Sequence, residues 1–287
     1  QRENADLVLG TDPDADRVGI AVRDHEGKFI LLNGNQTGSL IMYYLLSAWH
    51  KAGRITGNEY VVKTIVTTEL VREIADSFKV ECLDVLTGFK YIGGVMHARE
   101  GKKTFIGGME ESYGYLAGEF VRDKDAVISS CMIAETLAWA KSRGGSLFEL
   151  LLDIYVKYGF YKEKLISITK KGKSGAEEIE SMMSGFRERP PEKIAGSKVC
   201  LIKDYLSLRE RNIDTGKETP IDLPKSNVIQ FFTEDGAKIT ARPSGTEPKI
   251  KFYFSVKASL ARREDYEKTN SELDKRIEAV RSSLGIA

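Results

Sequence analysis

Apolar positions along the chain follow two rhythms. Short alternating or uniformly apolar runs predict strands, and apolar positions recurring every three to four residues predict helices. Ala5–Gly10 reads as a buried strand that runs straight into an acidic loop. Arg17–Val22 and Lys28–Leu32 alternate and are separated by Asp24-His25-Glu26-Gly27, a hairpin signal. These strands predict a small sheet edge whose partners precede residue 1. From Asn33 the pattern changes. Asn35 is placed to cap a helix over Gln36–Ala52, with Gly53 to stop it. Strand Tyr60–Thr67, helix Glu69–Phe78, strand Val80–Leu86, helix Phe89–Glu100, strand Thr104–Gly108 and helix Asp125–Lys141 follow. Such alternation predicts a parallel sheet with helices on its faces.

A further helix, Ser146–Tyr158, leads into a region of different order. Strand Tyr161–Thr169 and helix Gly175–Phe186 come first. Strands Lys198–Lys203, Asn227–Thr233, Ala237–Ala241 and Ile250–Val256 follow, and a helix near Arg262–Leu284 comes last. Arg187–Glu192 holds two prolines and reads as loop. Strands joined by short turns such as Glu234-Asp235-Gly236 predict an antiparallel α+β arrangement. The expected fold class is therefore α/β: the tail of one α/β domain, a parallel-sheet α/β domain, then an α+β domain with an antiparallel sheet.

Composition narrows the partners. The 287 residues are 41% apolar and 30% charged, as in a globular protein, and the net charge is +1. That balance offers no electrostatic reason to expect nucleic acid or a membrane surface. The most apolar run, Ser39–Trp49, is too short for a membrane span. Cys82, Cys131 and Cys200 are scattered among apolar neighbours without CxxC spacing. They read as small buried hydrophobes, which suits a reducing cytoplasm rather than a disulfide or zinc site. His25, His50 and His97 show no metal-ligand spacing. The chain begins at Gln1, close to a strand, and reads as truncated or proteolysed.

Chemistry concentrates in three loops. Gly10-Thr11-Asp12-Pro13-Asp14-Ala15-Asp16-Arg17 lies between two predicted strands and carries carboxylates at alternate positions. Three hard oxygen donors on one turn suit a magnesium ion, leaving room for phosphate or water. An EF-hand does not fit, because Arg17 stands where its glycine belongs and Arg23 where its glutamate belongs. A solvated acidic turn is the competing reading. Gly107-Gly108-Met109-Glu110-Glu111-Ser112-Tyr113-Gly114 sits at the carboxy end of a predicted parallel strand, where open α/β sheets place ligands. Its acids and hydroxyl suit sugar hydroxyls, and a plain polar turn is the alternative. Arg122-Asp123-Lys124-Asp125 follows closely and ends at a helix start. Arg242-Pro243-Ser244-Gly245-Thr246-Glu247-Pro248 offers a guanidinium, two hydroxyls and a glycine, a set that suits phosphate. It is not a Walker loop, Ser244 lacks a nucleophile-elbow setting, and a simple hairpin turn is the alternative.

Taken in order, these loops resemble those of the α-D-phosphohexomutase superfamily, and most of all bacterial phosphoglucomutase/phosphomannomutase proteins. The resemblance covers nearly the whole chain. Glu110-Glu111-Ser112-Tyr113-Gly114 and Thr87-Gly88-Phe89-Lys90 are more like the glucose-phosphate branch. The resemblance implies that Asp12, Asp14 and Asp16 bind Mg2+, with Arg17 beside the metal and Lys124 near the reacting group. It implies that Lys90, Glu110 and Ser112 contact the hexose phosphate, and that Arg242, Ser244, Gly245 and Thr246 hold the non-reacting phosphate. Residues 1–33 would be the tail of the metal-binding second domain, 34–158 the sugar-binding third and 159–287 the phosphate-binding fourth.

One family feature has no counterpart in the sequence. Members carry a Thr-Ala-Ser-His-Asn-Pro-like loop in their first domain, whose serine is phosphorylated, and no such string occurs here. The expectation is therefore part of a mutase interconverting hexose 1- and 6-phosphates through a phosphoserine and a bisphosphate. Its partners would be the substrate and the missing amino-terminal domains. Glucose is the preferred sugar, mannose a slower one, and the isolated chain inactive. A non-catalytic sugar-phosphate-binding module, a phosphopentomutase and a cation-stabilised structural protein remain the alternatives.

Overall fold

The computed structural model describes residues 4–170, 172–245 and 247–286. Its contacts divide the chain into two compact units, one running to Gly159 and including Ser259–Glu264, the other comprising Phe160–Ala258 and the residues from Asp265 on.

The first unit opens with strands β1 (Leu7–Thr11), β2 (Val18–Arg23) and β3 (Phe29–Leu32), paired antiparallel in that order. Val18, Ile20 and Val22 are buried on one face of this sheet. β1 lies at one edge, and Val8 and Leu9 are 51% and 38% exposed, so the strand read from the sequence as buried is not. Helix α1 (Gly34–Lys51) follows. Its cap is Asn33 rather than Asn35: the Asn33 side chain accepts from the Gln36 amide, and the Gln36 side chain accepts from the Asn33 amide. A glutamine three residues on completes this reciprocal pair for Asn33, whereas Asn35 has Gly38 in that position. Asn35 is buried and accepts instead from the Thr68 amide.

Strands β4 (Glu59–Thr64), β5 (Glu81–Val85), β6 (Thr104–Met109) and β7 (Tyr115–Ala117) form the second sheet, in the order β5-β4-β6-β7. β4 runs parallel to β5 and β6, and β7 returns antiparallel. Helices α2 (Leu70–Ser77), α3 (Phe89–Arg99), α4 (Ala126–Ser142) and α5 (Leu147–Tyr158) complete the unit. Every residue of β4 is buried, as expected of a central parallel strand covered on both faces. Tyr60, Val62, Phe105 and Leu116 pack with Phe89, Ile92 and Met96 of α3. On the opposite face Gly107 lies against Met42 of α1. Asp125 caps α4, accepting from the amides of Val127 and Ile128. Cys131 on α4 is exposed, contrary to the expectation of a buried thiol.

The second unit is built on an antiparallel sheet. Its strands are β8 (Phe160–Thr169), β9 (Lys193–Ile194), β10 (Ser197–Asp204), β11 (Arg209–Asn212), β12 (Glu218–Pro220), β13 (Ile229–Thr233), β14 (Lys238–Pro243) and β15 (Lys249–Ala258). They are ordered β12-β11-β10-β13-β14-β15-β8, with β9 paired to β10. Helices α6 (Gly172–Glu188) and α7 (Tyr266–Ser283) pack on it. Arg187 and Glu188 belong to α6, so the loop begins later than the prolines suggested. A short 3-10 turn, Arg263–Asp265, precedes α7.

Candidate active site

The acidic turn closes on itself. Asp12 N–H donates to the Arg17 carbonyl at 3.1 Å, and Asp12 Oδ1 accepts from the amides of Asp16 and Arg17, both at 3.2 Å. Ala15 adopts a φ of +55°, the left-handed backbone a tight reversal uses. The Arg17 guanidinium stays half exposed, 4.0 Å from Asp16. Among the described residues no group of three acidic, histidine or cysteine side chains stands as a metal-ligating cluster. The donor chemistry nevertheless suits a hard cation. Asp12, Asp14 and Asp16 are anionic oxygen donors on one turn, and among the described residues only Asp16 of the three is ion-paired.

That pairing joins two loops. Lys124 Nζ lies 2.8 Å from Asp16 Oδ2 and 3.3 Å from Asp123 Oδ1. The Lys124 hydrogen bond holds the Asp16 carboxyl below its ordinary pKa, although burial pulls the other way. Burial disfavours the Lys124 ammonium, but Asp16 and Asp123 outweigh it and its pKa rises. The backbone joins the same loops. Val18 N–H donates to the Tyr113 carbonyl at 3.2 Å, and Ala126 N–H donates to the Ala15 carbonyl at 3.0 Å.

The sugar-loop candidate is a tight hairpin, because β7 turns back on β6. Met109 pairs with Tyr115, and Glu110 N–H donates to the Gly114 carbonyl at 2.9 Å. Glu110 is buried, and its Oε1 accepts from the Gly88 amide at 2.9 Å. Desolvation pushes its pKa up, with the Gly88 bond and the Lys124 charge opposing. Gly114 makes room for Lys124, whose Cδ would stand 2.7 Å from a Cβ at that position. Ser112 is half-buried and Tyr113 exposed. Lys90 is exposed on the first turn of α3, its ammonium 5.0 Å from the Tyr91 ring centre. No contact joins it to Glu110 or Ser112 among the described residues.

In the second unit, Arg242 and Ser244 lie at the end of β14 and just beyond it. Ser244 N–H donates to the Lys249 carbonyl at 2.7 Å, and Arg242 Nη1 stands 3.5 Å from the Tyr253 hydroxyl. Gly245 has nothing within 4 Å of an added Cβ, so the space beside it is open. Thr246 lies outside the described residues. A cleft of about 660 Å3 borders this loop, lined by Ser244, Gly245, Lys249, Asn227 and Glu180 among others. Sequence reasoning missed Lys251. It pairs with Arg242 across β14 and β15, which puts two cations side by side on one face. The signal was available in the alternation Lys249-Ile250-Lys251, where lysine repeats on one face of the strand.

Residues 33–158 match the model of the phosphoglucomutase/phosphomannomutase alpha/beta/alpha domain III. The phosphoglucomutase of Staphylococcus aureus (strain MRSA252) is 41% identical over 256 residues, covering 89% of this chain and 46% of that protein. A Staphylococcus epidermidis phosphoglucomutase (strain ATCC 35984) is 40% identical over 88% of this chain and 45% of its own length. The chain thus spans about half the length of the curated relatives it matches. The fold is shared with the open form of pp63/parafusin, a Paramecium phosphoglucomutase, at a TM-score of 0.65 and 17% identity, over 98% of this chain and 45% of that one. It is also shared with a phosphoglucomutase/phosphomannomutase family protein of Burkholderia thailandensis, at a TM-score of 0.53 and 14% identity, over 98% and 47%. Residues 33–158 therefore carry domain III of the phosphoglucomutase/phosphomannomutase family, and the chain is similar to phosphoglucomutases over about nine-tenths of its length.

Proposed function

We propose that the chain supplies the cation, sugar and phosphate sites of a phosphohexomutase that interconverts hexose 1-phosphates and 6-phosphates. Its residues 1–33 are read as the tail of a metal-binding domain, 34–158 as the sugar-binding domain and 159–287 as the phosphate-binding domain. The observation that carries this reading is the junction in the first unit. The Asp12–Arg17 turn, Lys124 and the Glu110–Gly114 hairpin are tied together by one ion pair and by the Val18–Tyr113 backbone bond.

Phosphoryl transfer depends on positioning and charge neutralisation more than on covalent help from the protein. Mg2+ held by Asp12, Asp14 and Asp16 would neutralise charge on the reacting phosphoryl group. Lys124 brings a further positive charge to the same place, and Arg17 another beside it. Glu110, with one oxygen engaged by Gly88, and Ser112 would hold sugar hydroxyls, with Lys90 nearby. Arg242, Ser244, Gly245 and Thr246 would grip the phosphate that does not react. A loop that grips phosphate regardless of the carbon bearing it serves both half-reactions through the bisphosphate.

The phosphoserine would come from a part of the protein outside this sequence, so the chain alone should bind without turning over. Conversion of glucose 1-phosphate by the pure chain would sink that reading. Glucose and mannose differ only at carbon 2, so a site that holds other hydroxyls rejects mannose by a modest ~1–3 kcal/mol. Specificity constants for glucose, mannose and pentose 1-phosphates in the parent protein test the order. A pentose phosphate winning would move the protein to the phosphopentomutase branch.

A further inference from the structure

We propose that Gly34 is a positioning residue for the Glu110–Tyr113 loop, acting through the side chain it lacks. Gly34 is the first residue of α1, and its φ lies outside the left-handed region, so the backbone there does not itself demand glycine. The space does. A Cβ at this position would stand 2.0 Å from the Glu111 carbonyl oxygen, 2.7 Å from the Glu111 carbonyl carbon and 2.8 Å from the Tyr113 nitrogen. All three are backbone atoms, and no rotamer change moves them. Ser112 lies between the two residues that would be struck.

The helix end cannot readily retreat. Asn33 and Gln36 fix it by their reciprocal cap. The Tyr115 hydroxyl donates to the Gly34 carbonyl at 3.1 Å, and Asn35 Oδ1 holds the Thr68 amide at 3.0 Å. The hairpin side is softer. Tyr113 already sits at a φ of +70°, and residues 111–113 lie beyond the last ladder pair of β6 and β7, Met109 with Tyr115. A methyl group at position 34 would therefore displace the loop rather than the helix, carrying Ser112 and the Tyr113 carbonyl with it. Gly94, on the exposed side of α3, is a fair contrast. An added Cβ there would meet nothing within 4 Å.

That Gly34 sets the sugar contact rests on the sugar-loop reading above, whereas its hold on the loop does not. The test therefore has two readouts on the 287-residue chain. Amide exchange at Val18, whose N–H donates to Tyr113, reports the loop without any ligand, and calorimetry with glucose 6-phosphate reports the contact. In Gly34→Ala, Val18 should exchange about tenfold faster while amides of β4 hold their protection. Glucose 6-phosphate affinity should fall about tenfold or more. Gly94→Ala should change neither. Faster Val18 exchange with unaltered glucose 6-phosphate binding supports the positioning role and overturns the sugar reading. If Gly34→Ala does not fold, Tyr115→Phe, which frees the Gly34 carbonyl, should give the same changes in smaller measure. Unaltered Val18 exchange in the folded Gly34→Ala chain, or in Tyr115→Phe where that chain does not fold, overturns the proposal.

Discussion

Lys124 Nζ and Asp16 Oδ2 stand 2.8 Å apart, a contact between the approach to α4 and the acidic turn after β1. The ammonium neutralises the carboxylate that a cation at this turn would also use. Like charges disfavour each other at short range, so Lys124 and a bound cation compete for Asp16. Magnesium should therefore bind the chain weakly, and Lys124→Met should strengthen binding while Asp14→Ala abolishes it. Calorimetry with MgCl2 decides this: tight binding that survives Asp14→Ala contradicts the cation assignment.

Arg242 and Lys251 face each other across β14 and β15, and an anion between them would relieve their repulsion. Hydrogen bonds to charged groups contribute roughly 1.5–3 kcal/mol. Inorganic phosphate should bind Arg242→Ala about tenfold or more weakly than the parent chain, since ~1.4 kcal/mol is tenfold. Lys251→Met should show a smaller loss of the same sign. Equal phosphate affinity in Arg242→Ala and the parent chain would count against the phosphate loop.

The three loops were legible because each is a contiguous string whose donors announce their chemistry. What joins them was not. Asp16 and Lys124 are distant in sequence, and nothing in either segment points to the other. β7 escaped notice because Tyr115–Ala117 is too short to show alternation. Arg209–Asn212 and Glu218–Pro220, at one end of the sheet, escaped because strands so polar carry no apolar rhythm. The cap of α1 was misread by two residues because Asn33 and Asn35 are both good caps, and only Gln36 tells them apart. Gly34 resembled any glycine near a helix start, since its constraint comes from a backbone about eighty positions away.

Lys63 is fully buried on β4, 2.8 Å from Asp84 Oδ1 and 3.0 Å from Glu69 Oε1. Burial opposes its charge, but Asp84 and Glu69 outweigh burial and hold the ammonium protonated. Arg72 also reaches Asp84, at 2.7 Å. Asp84→Asn leaves two cations facing the single charge of Glu69 and should cost about 3–5 kcal/mol. Lys63→Met should cost less, because it removes the fully buried charge itself, and the carboxylates left in excess are a quarter to a third exposed and still contact Arg72. Urea unfolding monitored in the first unit gives the order, and the reverse order would contradict it.

Glu81 receives Arg99 at 2.6 and 3.0 Å and Lys103 at 2.5 Å. The Arg99 hydrogen bonds lead in lowering its pKa from 4.5 to about 2, with burial opposing. A depressed folded-state pKa gives stability that is present above the unfolded value and lost as pH falls through the folded one. Glu81→Gln should therefore be less stable than the parent at neutral pH, and the gap should close between about pH 4.5 and 2. With 36% of the side chain exposed, the gap should be small and shrink further in salt. A gap independent of pH would assign the loss to packing instead.

The central claim is that the Glu110–Tyr113 hairpin receives a sugar, and amide NMR spectra of the chain test it most directly. Titration with glucose 6-phosphate should shift Ser112, Tyr113 and Gly88, whose N–H is held by Glu110, in one saturable step. Inorganic phosphate at the same concentrations should leave those amides in place. Silence of Ser112 and Gly88 toward glucose 6-phosphate, or equal shifts with inorganic phosphate, would contradict the account.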